Sequence, residues 1–227
     1  MMSSVSAATV GEESERRESG VIAGVPYSVA VAALLAIVAL ALAIAAVAMY
    51  LRDRPPGNSS AEAGFARDME THHAQAVLMA LKIRDRTEDP ALRSLATDII
   101  LTQQAQIGQL NGWLEAWGAS LAGDDEPMAW MGHDGPMPGM ASQEALNQLD
   151  SLPTPEAEIL FLQLMIRHHE GALPMAEAIL ERSDRKEVRL FAEGVIRTQS
   201  LEIERMREML AERGVTYDGS TEQQPHH

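Results

Sequence analysis

A pair of histidines flanked by methionines occurs twice in this 227-residue chain. Phe65-x3-Met69-x2-His72-His73-x2-Ala76-x2-Met79-Ala80 returns as Phe161-x3-Met165-x2-His168-His169-x2-Ala172-x2-Met175-Ala176, at an offset of 161 − 65 = 96. The same offset joins Ile83/Ile179, Arg86/Arg182, Arg93/Arg189, Ala96/Ala192, Gln103/Gln199, Ile107/Ile203 and Leu114/Leu210. Four of the seven histidines sit at the matched places. Imidazole is a ligand for Cu, Zn, Fe and Ni, and a thioether is soft enough to favour Cu(I). Structural zinc usually draws on thiolate, and this chain has no cysteine.

A third cluster adds weight to copper. Met128, Met131, His133, Met137 and Met140 fall within 140 − 128 + 1 = 13 residues of a Gly/Pro-rich stretch without helical periodicity. Methionines in such a loop have no core to fill, and with a histidine they could capture Cu(I) and pass it on. A lid over one end of the fold is the other reading. A di-iron carboxylate site fails on ligand count. It needs Glu-x-x-His on two helices and a Glu on each of two more. Glu70-x-x-His73 fits once, the matching place reads Ile166-x-x-His169, and the partner segments offer Gln103 and Gln199. The plain alternative to any metal is that each buried imidazole hydrogen-bonds Gln103, Gln199, Thr102 or Thr198 across the core, with methionine filling space.

The elements that position these residues read as helices. Phe65, Met69, His72, Ala76, Met79 and Ile83 alternate steps of four and three, the spacing of one packed helix face. That spacing turns His72 and His168 inward and leaves His73 and His169 about 100° round, at the edge of the seam. Ser59 or Ser60 can cap the first such helix. Asp89-Pro90 breaks it and starts a second, with Leu92, Ala96, Ile99, Gln103, Ile107, Leu110 and Leu114 on one face. Gly118 to Gly139 cannot continue that helix. Ser142 to Leu149 reads as a short helix, Pro153-Thr154-Pro155 opens the third long one, Ser183-Asp184 ends it, and Val188 to Leu210 supplies the fourth. Pro174 should kink the third helix, with Gly171 easing the bend. The expected architecture is all-α, with no strands: a four-helix bundle of two repeated hairpins. Its repeats span 61–118 and 154–213, joined by a Met-rich linker at 119–153.

Ahead of the bundle, residues 26–51 are almost wholly apolar and uncharged within the segment from Ala30 to Tyr50. At 1.5 Å per residue, about 20 such residues cross a hydrocarbon core about 30 Å thick. A signal peptide's apolar region is usually shorter, about 7–15 residues, so the segment reads as a retained transmembrane anchor. Arg16, Arg17, Arg52 and Arg54 flank it on both sides and give no vote on orientation. Residues 1–25 and 214–227 read as disordered, and 52–60 as a linker. A formal charge of −15 argues against a nucleic-acid partner. It suits attraction of cations and simple solubility alike.

These motifs resemble the family known as domain of unknown function 305, through the doubled Met-x2-His-His-x2-Ala-x2-Met-Ala helix and Met137-Pro138-Gly139-Met140 between the halves. The family's Gln-x2-Glu-Ile-x2-Met segment is intact as Gln199-x2-Glu202-Ile203-x2-Met206, whereas the first repeat has Gln103-x2-Gln106-Ile107-x2-Leu110. The resemblance covers about residues 61–212. It implies a ferritin-like bundle outside the cytoplasm, and some members are similar to copper-binding proteins linked to copper tolerance. The ligands it implies are Met69, His72, His73, Met79, Met165, His168, His169 and Met175. The first repeat lacks one carboxylate and one thioether, so its site is expected to differ from the second. The reading is a single-pass, extracytoplasmic protein that sequesters or delivers copper, with Cu(I) favoured, Cu(II) open and no catalysis. The alternatives are a structural or stress-related interaction protein and, further off, a metal-dependent oxidase.

Overall fold

A computed structural model describes residues 21–22, 25–52, 54–132 and 135–219. The expectation of disorder for residues 1–20 and the candidate ligand His133 lie outside the described residues. The chain divides into two compact units, residues 1–54 and 55–227.

In the first unit, two two-residue strands, β1 (Val21–Ile22) and β2 (Val25–Pro26), pair antiparallel ahead of helix α1 (Tyr27–Arg52). This short pairing falls within residues 21–26, most of which were expected to be disordered. The helix α1 is long and apolar enough over Tyr27–Tyr50 to cross a membrane. Its large apolar side chains, among them Leu34, Leu42 and Met49, are exposed.

The second unit is a helical bundle. Four long helices, α2 (Ala61–Arg84), α3 (Pro90–Trp117), α5 (Thr154–Arg182) and α6 (Lys186–Glu212), are joined through the short α4 (Gln143–Ser151) and one 3₁₀ turn at Ala129–Met131. The breaks fall where polar caps stand. The Ser60 hydroxyl accepts from the Ala63 amide, and the Asp89 carboxylate accepts from Ala91 and Leu92 with Pro90 at the first helical position. The helix α3 closes at Gly118, which takes the left-handed conformation. Helices α2 and α3 pack along each other, as do α5 and α6, and α2 packs on α5. The helix α5 runs through Pro174 without interruption to Arg182.

Two apolar clusters form the interior. One joins Met79, Ile83 and Leu92 to Phe161, Met165, Met206 and Leu210. The other joins Phe65, Met69 and Leu114 to Ala172, Met175, Ile179 and Phe191. The first half of α2 thus shares a core with the second half of α5, and the reverse, so the two helices run antiparallel and cross at their paired histidines. The residues after 213, expected to be disordered, follow the bundle at first. Val215 and Tyr217 pack on the first cluster, and the Tyr217 hydroxyl donates to Glu170 at 3.1 Å. Apolar contact and a charge-assisted hydrogen bond hold them there.

Candidate metal centre

Where α2 and α5 cross, the buried side chains are polar. His72, His73, His168 and His169 have no solvent exposure, and Gln103 from α3 and Gln199 from α6 are 2 % exposed. His73 and His169, expected at the edge of the seam, are as enclosed as their neighbours. The reason is that α2 and α5 are covered on more than one side. His73 stacks at 6.5 Å on Phe191 of α6, and His169 meets Glu202 of α6. The rings of His72 and His168, from the two repeats, face each other with centroids 3.8 Å apart and planes tilted by 38°.

Burial keeps three of these imidazoles neutral. Loss of solvation lowers the pKa of His72 to about 4 and that of His73 to about 3, and drives His168 well below its ordinary value. For His72 the Pro138 carbonyl acts weakly the other way, as the Gln106 side chain does for His73. Neutral imidazole is the form that binds a metal.

His72 Nε2–H donates to the Pro138 carbonyl at 3.0 Å, and His169 Nε2–H donates to the Glu202 carboxylate at 2.7 Å. A carbonyl only accepts, so the neutral ring of His72 keeps a lone pair on Nδ1, and Nδ1 of His169 is the ring atom that makes no hydrogen bond. Those two Nδ1 atoms, both ring nitrogens of His73 and of His168, and both amide atoms of Gln103 and of Gln199 are buried without a hydrogen bond of good geometry, although Gln106 lies beside His73 and the His72 backbone beside His168. That makes ten atoms among the described residues, on α2, α3, α5 and α6. The hydrogen bonds to Gln103 and Gln199 that a purely structural role requires are not made.

Magnitudes decide what this means. Each unpartnered buried polar atom costs about 1–3 kcal/mol, while a whole domain is stable by only about 5–15 kcal/mol. Ten such atoms exceed that total, so these groups are met by bound water or by a ligand from outside the chain. A neutral-imidazole, amide and thioether donor set fits a soft or borderline cation. Among the described residues no three His, Cys, Asp or Glu side chains converge closely enough to hold an ion alone. A site here therefore draws on thioether or amide donors as well as imidazole. Met69 and Met175 lie in the core on one side of the layer, Met79 and Met165 in the core on the other, and all four are fully buried.

The Met-rich linker lies along the middle of the bundle rather than over its end. Pro138 and Gly139 press directly on α5. A Cβ at Gly171 would stand 2.2 Å from the Pro138 carbonyl oxygen, and one at Gly139, where φ is 78°, would stand 2.4 Å from the Arg167 carbonyl oxygen. Gly171 thus serves this close approach, beyond the helix bend expected of it. Two further contacts hold the strap. Ala141 exchanges a pair of hydrogen bonds with the Gln75 side chain, at 2.7 and 3.0 Å, and Arg167 donates to the Met140 carbonyl at 2.8 Å.

Met128 departs from the expectation of a methionine with no core to fill. It is 1 % exposed within the cluster that holds Phe65 and Phe191. Its amide and the Trp130 indole N–H both donate at 2.8 Å to Asp68, which anchors the start of the linker on α2. Met131 and Met137 pack against the same cluster, and Met140 is half-buried. The residues that letter patterns alone did not single out are Pro138, whose contribution is a backbone carbonyl, and Asp68.

Residues 62–210 match the family model described as domain of unknown function (DUF305), and the chain belongs to that family. A DUF305 protein of Streptomyces coelicolor, labelled secreted, is 43% identical with a TM-score of 0.67, over 74% of this chain and 98% of that one. The protein CopM, solved in a Cu(I)-bound form, is 25% identical with a TM-score of 0.52, over 68% of this chain and 97% of that one; it is also solved in a Cu(II)-bound form. An uncharacterised protein of Acanthamoeba polyphaga mimivirus is 41% identical over 51 residues, a match spanning 34% of that protein.

Proposed function

We propose that this member of the DUF305 family is a membrane-anchored, extracytoplasmic copper-binding protein that sequesters or delivers the ion rather than turning over a substrate. The observation that carries the reading is the layer of four fully buried histidines, six of whose ring nitrogens make no hydrogen bond of good geometry in the protein, between two methionine-bearing cores. Imidazole and thioether together suit Cu(I), and imidazole alone accepts Cu(II). Copper in both oxidation states in CopM supports the choice of metal. The apolar helix α1 supports anchoring, and the secreted label of the Streptomyces relative supports a location outside the cytoplasm.

In this reading His72, His73, His168 and His169 supply the nitrogen donors, and Met69, Met79, Met165 and Met175 the sulphur donors. The linker methionines Met131, Met137 and Met140 offer thioethers on the way in, while Met128 serves packing. The strap formed by Met137-Pro138-Gly139-Met140 covers the layer, so an ion reaches it only when the strap lifts. The chain's acidity, at −15, raises the local concentration of cations around it.

The test is an anaerobic titration of the detergent-solubilised full chain with Cu(I) against a competing chelator, with Cu(II) and Zn(II) alongside. Tight Cu(I) binding that disappears when the four histidines are replaced together by Gln establishes the site. Binding that survives that replacement, or none at all in the unaltered chain, rejects it.

A further inference from the structure

The two repeats do not tether their second histidines alike. His169 donates from Nε2 to Glu202 at 2.7 Å, with the imidazole fully buried and the carboxylate side chain 14% exposed. The repeat offset puts Gln106 at the matching place, since 202 − 96 = 106. His73, the counterpart of His169, has both ring nitrogens buried without a hydrogen bond of good geometry. It stacks on Phe191, with the Gln106 side chain beside it.

The chemical consequences differ. A carboxylate only accepts, so the Glu202 bond fixes a proton on Nε2 of His169 and leaves Nδ1 as the ring atom available to a metal. It also increases the electron density of the ring and so its strength as a ligand, an effect whose removal typically lowers metal affinity by about 10–100-fold. An amide can donate or accept, so Gln106 sets neither the tautomer nor the ring orientation of His73. A second difference runs in the same direction. Met206, fully buried, adds a thioether to the second repeat where the first has Leu110.

We infer that the copper centre is built asymmetrically, with Glu202 as a positioning residue that presents His169 Nδ1, so that the ion settles first on the side of the second repeat. The inference rests on the copper-binding reading above. Glu202 does not touch the ion; it acts through the ring it holds. The first repeat's side fills later and more weakly.

The experiment compares the full chain with the near-isosteric Glu202→Gln and the reciprocal Gln106→Glu, each titrated with Cu(I) under chelator competition. The unaltered chain should bind in two phases. In E202Q the tighter phase weakens by about 10–100-fold and merges with the weaker one, and in Q106E the weaker phase tightens toward the other. A metal-free readout accompanies this. Long-range ¹H–¹⁵N spectra of the histidine rings should show His169 purely as the Nε2–H tautomer in the unaltered chain and as a mixture in E202Q. E202Q and unaltered chains with equal affinities, both abolished by the four-histidine replacement, would overturn the asymmetry and leave the copper reading standing. Absence of binding in the unaltered chain would overturn both.

Discussion

The close approach of strap and helix makes Gly171→Ala a severe change at a place where helix propensity alone favours it. A Cβ there would lie 2.2 Å from the Pro138 carbonyl oxygen and 2.5 Å from its carbon. Ordinary carbon–oxygen contact begins at about 3.3 Å, so the strap must withdraw by about 1 Å. That movement stretches the 3.0 Å bond from His72 to the same carbonyl to about 4 Å, beyond hydrogen-bonding range. Leaving a buried imidazole N–H unpartnered costs about 1–3 kcal/mol. Overpacking the contact costs about 1–3 kcal/mol more. Replacing glycine inside a helix returns about 1 kcal/mol, which leaves a net loss of about 1–5 kcal/mol. At about 2–4 °C per kcal/mol for a chain of this size, the midpoint of thermal unfolding should fall by roughly 2–20 °C. Gly194→Ala is the control. It lies inside α6 with nothing within 4 Å of the added Cβ, so the same substitution should stabilise by up to about 1 kcal/mol. Circular dichroism melts of the two variants decide the matter. A G171A chain as stable as G194A would refute the docked strap.

Two further outcomes follow from the same geometry. His72 and His73 have pKa values lowered to about 4 and about 3, so below the ordinary value of about 6.5 the unfolded chain binds more protons than the folded one. Stability should be level from pH 8 to 7 and fall as the pH drops from about 6.5 toward 4, by up to about 1.4 kcal/mol per pH unit for each buried ring; urea midpoints unchanged down to pH 4.5 would contradict neutral burial. Asp68→Ala deprives the Met128 amide and the Trp130 indole of their shared acceptor. It should lower stability by about 2–4 kcal/mol in urea titrations with copper stoichiometry intact, and a neutral result would dissociate the linker from that anchor.

Much of this molecule can be read from spacing because burial on a helix has a period. The positions joined by the 96-residue offset are enclosed in parallel, as Phe65 and Phe161, Met69 and Met165, or Gln103 and Gln199 show. Ser60 and Asp89 announce their helix starts because a cap is a property of one side chain and the next three amides. What spacing does not carry is the partner across the fold. His73 reads as a seam-edge residue from its angle on α2, yet it is enclosed because α6 brings Phe191 against it. The Pro138–His72 bond leaves no mark in letters, since any residue supplies a carbonyl. Gly171 carried a signal, but a glycine beside Pro174 has a local explanation that hides the distant one. Met128 sits in a Gly/Pro-rich stretch like its neighbours, and only the Asp68 anchor draws it into the core.

The buried layer separates the copper reading from the structural one through stability itself. Consider His72→Leu with His168→Leu, which replaces two facing rings 3.8 Å apart by apolar side chains of similar volume. If the rings hold the bundle together, the change should destabilise it as any broken buried network does, by about 2–5 kcal/mol. The geometry argues for the opposite sign. Three of the four ring nitrogens concerned have no partner in the protein, and the fourth has only the Pro138 carbonyl. Removing three unpartnered atoms at about 1–3 kcal/mol each outweighs the loss of one hydrogen bond worth about 1 kcal/mol. The metal-free double variant should therefore be more stable than the unaltered chain, on the order of 2 kcal/mol, and less sensitive to acid. With copper present the order reverses, because an ion at 1,000 times its dissociation constant adds about 4 kcal/mol to the chain that binds it and nothing to the one that does not. A metal-free double variant that melts well below the unaltered chain would mean that the histidines hold the fold, and the copper reading would lose its main support.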